Sequence, residues 1–147
     1  MNISALPFYQ LDKLQIPLVN EFYKQVYKKG VAKRSEQVFV LRDQKILCAA
    51  RLKEVQGALL LTGVACLPAM RGQGLASLLI NKLLNLQTEM IYCFPYPDLQ
   101  GFYEKLGFKL YQQVKLPEAL AMQYQAYNKR KPLLCMAYDS NKDNKSE

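Results

Sequence analysis

The chain has 147 residues, half of them hydrophobic, with 20 basic and 12 acidic side chains and a net charge of +8. That length suits one domain with an ordinary core, and that composition excludes a disordered chain. The charge favours an anionic ligand, no run of about eighteen apolar residues marks a membrane span, and "MNISALPFYQLDK" lacks the basic-then-apolar pattern of a signal peptide.

In chain order, residues 11–29 read as a helix, with Leu18, Phe22 and Val26 on one face and Gly30 as a stop. Residues 37–43 and 45–55 read as strands joined by a tight turn at Asp43-Gln44. Residues 57–67 are apolar almost throughout, the pattern of a central strand covered on both faces. A glycine loop follows, then a helix to about Gln87 that lines up Leu75, Leu78, Leu79, Leu83 and Leu86. Residues 89–97 make another buried strand, closed by Pro95 and Pro97. A short helix over 98–108 has Asp98 as N-cap and Gly107 as its stop. Residues 108–116 alternate like a strand, 117–130 are helical with Pro117 in the first turn, and 132–139 form the last strand. Residues 140–147 are polar and read as a disordered tail, which leaves a single domain over 1–139. This order predicts an α/β fold, a mixed sheet with helices on its faces.

The cysteines, Cys48, Cys66, Cys93 and Cys135, sit in apolar runs without a CxxC pair, and the chain has no histidine. That set supports no metal site, and it reads as buried free thiols in a reducing cytoplasm. Cys66 has no basic neighbour within its strand and is expected to stay an inert thiol, so no acyl-enzyme is read.

The stretch "LPAMRGQGLASLLINKLL" carries the chemistry. A helix start leaves backbone N–H groups unsatisfied, and proteins commonly fill them with a Ser, Thr, Asp or Asn cap and acidic residues in the first turn. Here the start holds Arg71, Gly72 and Gly74, and no acidic residue occurs between Glu54 and Glu89. Glycines let a ligand approach the backbone, so the pattern describes a seat for phosphate or diphosphate. It also fits a plain strand-to-helix turn with Arg71 in solvent. It lacks G-x-x-x-x-G-K-S/T, and Ser77 stands where the third glycine of G-x-G-x-x-G would be.

"VACLPAMRGQGLA" resembles the acetyl-coenzyme A motif of the GNAT superfamily of N-acetyltransferases, R/Q-x-x-G-x-G/A, with Arg71, Gly74 and Ala76 at its fixed positions. "GFYEKLGF" resembles the family's second signature, a Tyr on a short helix followed by Gly-Phe. The resemblance runs from about residue 37 to 139. It implies a mostly antiparallel sheet splayed at the cofactor site, with Pro68, Pro95 and Pro97 helping two parallel strands to part. Val64, Ala65 and Cys66 would offer main-chain groups to the pantetheine arm. Arg71, Gly72, Gln73, Gly74, Leu75, Ala76 and Ser77 would wrap the diphosphate. Tyr103 would protonate the leaving thiolate. Many members carry an Asn before the second motif, where this chain reads "YPDLQ".

The implied reaction is direct acetyl transfer from acetyl-CoA to a primary amine in a ternary complex. An ordinary ammonium, with a pKa near about 10.4, is neutral in only about one molecule in a thousand near neutral pH, so a base would help. Glu54 and Glu36 are the candidates, although each reads more readily as a solvated surface charge. Tyr103 shares an apolar helical face with Leu99, Phe102 and Leu106, and it also reads as core. The basic residues Lys24, Lys28, Lys29, Lys33 and Arg34 have no aromatic nucleic-acid platform beside them, so nucleic acid is not an expected partner. Residues 117–131, with Met122, Tyr124 and Tyr127, read as a lid over an acceptor, a dimer contact or plain packing, in a monomer or homodimer. The alternative function is a non-catalytic acetyl-CoA-binding module that regulates a partner protein.

Overall fold

The computed structural model describes residues 2–27 and 32–140. Its sheet has seven strands: β1 Phe8–Leu11, β2 Gln37–Arg42, β3 Ile46–Val55, β4 Ala58–Cys66, β5 Ile91–Cys93, β6 Lys109–Leu110 and β7 Met136–Tyr138. Their order is β1-β2-β3-β4-β5-β7-β6. Pairings β1/β2, β2/β3, β5/β7 and β6/β7 are antiparallel, and β4/β5 is parallel. The helices are α1 Ile16–Val26, α2 Leu75–Asn85, α3 Gln100–Lys105 and α4 Glu118–Arg130. The expected mixed, mostly antiparallel α/β architecture is therefore present.

Two compact units divide the chain. One holds the described residues up to Lys53 together with Thr62–Leu86. In it α1 buries Ile16, Val19, Phe22 and Tyr23 against Val38 and Val40 of β2 and Ala49 of β3. Phe39 points to the opposite face, where Phe8 stacks on it, and Lys82 of α2 lies 5.9 Å from the Phe8 ring. Both faces of β2 are thus covered, as its apolar run requires.

The second unit holds Glu54–Leu61 and the described residues from Gln87 onward. There α4 packs Leu120 and Tyr124 against Leu60, Tyr92 and Ala137. A second aromatic group joins Tyr103 of α3 to Phe108 and Tyr138. The parallel ladder in this unit is only three pairs long, Leu59↔Ile91 to Leu61↔Cys93.

Several expectations need correction. Strand β1 was not expected. It is an edge strand whose register is supplied by β2, and its own four residues are too short to carry a pattern. The buried face of α1 runs through Ile16, Val19, Phe22 and Tyr23, which leaves Leu18 half exposed at its edge. Leu86 falls outside α2, and Ile80 and Leu84 are buried instead. Strand β5 stops at Cys93, two residues before Pro95, and Pro68 lies in a 3-10 turn beyond β4; the prolines follow the strands rather than interrupt them. Strand β6 keeps only two residues, both exposed, so no buried face extends it. Gly30, Lys28 and Lys29 lie outside the described residues, as does the expected tail from 141 onward. Ser140 is described, and its hydroxyl donates to the Glu89 carbonyl at 3.0 Å.

Candidate functional site

The end of β4 leads into a 3-10 turn, Pro68–Met70, and then into the exposed stretch Arg71–Gly74. Gly72 and Gly74 have φ of 79° and 85°, the left-handed region that side chains with a Cβ avoid. Gly74 is the N-cap of α2. No side chain caps it, and the first turn holds no acidic residue. The Leu78 amide closes the first turn onto the Gly74 carbonyl. Among the described residues, no protein carbonyl or side chain accepts from the amides of Gly72, Gln73, Gly74, Leu75 or Ser77. Gln73 turns its side chain back to the Ala69 carbonyl, so it faces the loop mouth with its backbone. Free amides and the positive end of a helix, with Arg71 in the same stretch, are the donors an anion could use. A diphosphate fits that donor set.

The strand feeding this loop is held from below. Gly63, in the middle of β4, has φ 65°, and a Cβ there would collide with the Arg51 guanidinium. The Tyr23 hydroxyl donates to the Gly63 carbonyl at 2.7 Å. Arg51 lies 5.2 Å over the Tyr23 ring and pairs with Glu36 at 3.3 Å. The two charged side chains are only 9% and 5% exposed, and the Lys33 amide donates to the same Glu36 oxygen at 2.6 Å. Burial raises the Tyr23 pKa far above the ordinary tyrosine value, against the pull of Arg51, so the phenol stays protonated as a donor. This network was not anticipated. Its one sequence signal is an arginine inside the apolar run of β3. Glu36 is committed to an ion pair and is not available as a free base.

Glu54 lies near the end of β3 and is exposed. Tyr103 is on α3, only 7% exposed, with its ring edge-on to Phe102 at 5.0 Å and to Phe108 at 5.5 Å. Its carbonyl accepts from the amides of Leu106 and Phe108, which ends the helix around Gly107. Asp98 does not cap α3; it sits in the preceding 3-10 turn Pro97–Leu99, and Leu99 is the N-cap.

Val64, Ala65 and Cys66 form the last turnward residues of β4, all half-buried. Cys66 is not the isolated thiol its strand suggested. Its sulfur is 2.8 Å from that of Cys48 on β3. Its pKa is lowered by that hydrogen bond, against desolvation, with further help from the Arg71 charge and the Ala76 amide. Arg71 is five residues away in sequence, so its charge reaches Cys66 from the loop that follows the strand. The Ala76 amide therefore already has a protein partner, as does the Arg71 amide, which donates to the Pro68 carbonyl at 3.3 Å.

On α4, Met122 is 65% exposed and Tyr127 is also exposed, whereas Tyr124 is core. The Tyr124 hydroxyl donates to the Leu133 carbonyl at 2.8 Å, and Asn128 accepts from the Leu133 amide at 2.9 Å. For Tyr124 the packing reading holds.

A GNAT acetyltransferase domain model matches residues 34–110, which is half of the chain and includes both the loop and Tyr103. The chain belongs to the GNAT acetyltransferase family. Solved GNAT structures share its fold at low identity. One is N-acetylglutamate synthase from Neisseria gonorrhoeae, solved with coenzyme A and N-acetyl-glutamate, at 13% identity and TM-score 0.67 over 90% of this chain and 34% of that one. Another is the ribosomal-protein-S18-alanine N-acetyltransferase of Escherichia coli, at 15% identity and TM-score 0.63, covering 90% of this chain and 92% of that one. GCN5 from Tetrahymena matches at 19% identity and TM-score 0.64 over 90% and 95%. The chain spans about a third of the length of the N-acetylglutamate synthase structures it resembles. No curated protein sequence is significantly similar to it. Among the described residues, no helix is long and apolar enough to cross a membrane.

Proposed function

We propose that this GNAT chain transfers the acetyl group of acetyl-CoA directly to a primary amine in a ternary complex. The observation that carries the reading is the uncapped, acid-free start of α2, with five backbone amides that have no protein acceptor among the described residues. Coenzyme A in solved neighbours supports the same ligand. Both units belong to one functional domain in this reading, since the family match takes in parts of each.

Acetyl-CoA supplies an activated thioester. Arg71 and the amides of Gly72, Gln73, Gly74, Leu75, Ala76 and Ser77 hold the diphosphate. Each exposed contact of this kind contributes about 0.3–1 kcal/mol, more where water is excluded. Val64, Ala65 and Cys66 present main-chain groups to the pantetheine arm, and a β4 amide polarises the thioester carbonyl as negative charge develops on it. Tyr103 donates its hydroxyl proton to the departing thiolate. Glu54, open to solvent, takes the proton from the incoming ammonium through water. The acceptor is a small-molecule or protein amine.

Calorimetry with acetyl-CoA tests the seat, and thiol release with a panel of amines tests the transfer. Tyr103→Phe is expected to lower kcat by about 10²-fold or more with little change in acetyl-CoA affinity. The tight aromatic packing of Tyr103 favours a second reading, a binding module that regulates a partner. Binding without turnover of any amine, with Tyr103→Phe silent, selects it.

A further inference from the structure

The Leu67 amide, just past the end of β4, donates to the Leu47 carbonyl of β3 at 2.9 Å. One residue inward on each side, Cys66 and Cys48 bring their side chains together. Their sulfurs are 2.8 Å apart. Cys48 is fully buried, while Cys66 is partly open at the foot of the exposed loop. Cys93 and Cys135 are buried in the other unit, and burial pushes both thiols up. Of the four cysteines, Cys66 alone has access to solvent, a resolving thiol within reach, and a cation and an amide beside its sulfur.

We propose that Cys48 and Cys66 are a modification site, forming a reversible disulfide when the chain meets hydrogen peroxide or an organic hydroperoxide. The Cys66 thiolate attacks one peroxide oxygen; an S–O bond forms, the O–O bond breaks, and the leaving oxygen takes a proton from water. Cys66 is now a sulfenic acid. The Cys48 sulfur attacks it, the S–S bond forms, the S–O bond breaks, and hydroxide leaves with the Cys48 proton as water. The two thiols lose two electrons and two protons, and hydrogen peroxide becomes two waters.

A consequence follows for the loop, and it rests on the proposed function. When it is ionised, Cys66 draws on Arg71 and the Ala76 amide, two groups assigned to the diphosphate. The disulfide is neutral and makes no such demand. The oxidised chain should therefore bind acetyl-CoA more tightly than the reduced chain at a pH where Cys66 is ionised.

The test treats the reduced full chain with hydrogen peroxide, then counts thiols in denaturant and maps the peptides. Two of the four free cysteines should be lost, as a Cys48–Cys66 crosslink that dithiothreitol reverses. In Cys48→Ala the reaction should stop at a Cys66 sulfenic acid captured by dimedone. Four retained thiols, a crosslink through Cys93 or Cys135, or over-oxidation of Cys66 beside a free Cys48 in the unsubstituted chain overturns the site. Calorimetry with acetyl-CoA, which has no free thiol, at a pH where Cys66 is ionised should give the oxidised chain a Kd lower by about two- to fivefold, the worth of one charge at a helix end. An equal or higher Kd overturns the coupling. Absence of acetyl-CoA binding in both forms overturns the proposed function and the coupling together, and the thiol count still decides the disulfide.

Discussion

Helices α1 and α2 belong to the same unit and are entered in different ways. Helix α1 runs on from a 3-10 turn, Lys13–Gln15, which is closed by a capping box: the Asp12 carboxylate accepts from the amides of Leu14 and Gln15, and the Gln15 side chain accepts from the Asp12 amide. Before α2, Gly74 offers no side chain, and the glycine-rich backbone leaves its amides open. The first start spends its hydrogen-bonding capacity on the fold. The second forgoes that stability, and the forgone contacts are the ones an anionic ligand can make.

The comparison can be broken most forcefully at Ser77. Ser77→Glu places a carboxylate in the first turn of α2, where the helix dipole favours it and a diphosphate does not. Acetyl-CoA affinity should fall about a hundredfold by calorimetry, the scale of a unit charge a few ångströms away at an intermediate dielectric. The melting temperature should hold or rise. A joint fall of both would mean that the substitution merely damages the helix.

Tyr23→Phe sharpens the contrast, because α1 carries the hydroxyl that holds β4 at Gly63. The buried carbonyl left without its donor should cost about 1–3 kcal/mol in denaturant unfolding. Acetyl-CoA affinity should change far less than in Ser77→Glu, since the loop amides are untouched.

Asp12→Ala is the mirror image. It should cost about 1 kcal/mol of stability, a few degrees of melting temperature, and leave acetyl-CoA affinity unchanged. A loss of affinity there would erase the distinction between the two starts.

The smallest effect under ordinary conditions lies in the other unit, because it appears only in alkali. Burial pushes the Cys135 thiol from 9.0 up to about 11. The folded chain holds that proton where the unfolded chain has lost it. Stability contributed by the protonated thiol is complete below pH 9.0 and is lost as pH rises towards about 11. Melting temperature measured across that window should decline less steeply in Cys135→Val.

Most strands and helices were legible because their signals are local. The run 57–67 is apolar enough to be central, and β4 is the middle strand of seven. The loop was legible for the same reason: its glycines, its arginine and its missing acids are neighbours in the chain. Strand β1 was not, since four edge residues acquire their conformation only by pairing with β2. The roles of Arg51 and Glu36 were not, since an arginine in an apolar strand does not announce which carboxylate, fifteen residues away, will neutralise it. The Asp98 cap failed because a 3-10 turn shifts the helix start past it.

The sequence by itself determined that α2 would start on free amides, because backbone conformation at glycine and the absence of capping side chains are properties of a few adjacent residues. Only the tertiary structure decided that Tyr23 would hold a carbonyl 40 residues on, and that Cys66 would meet a thiol 18 residues back. Those contacts depend on strand register and on the packing of α1 against the sheet. Register is set by packing across the sheet, and packing joins residues that share no periodicity along the chain.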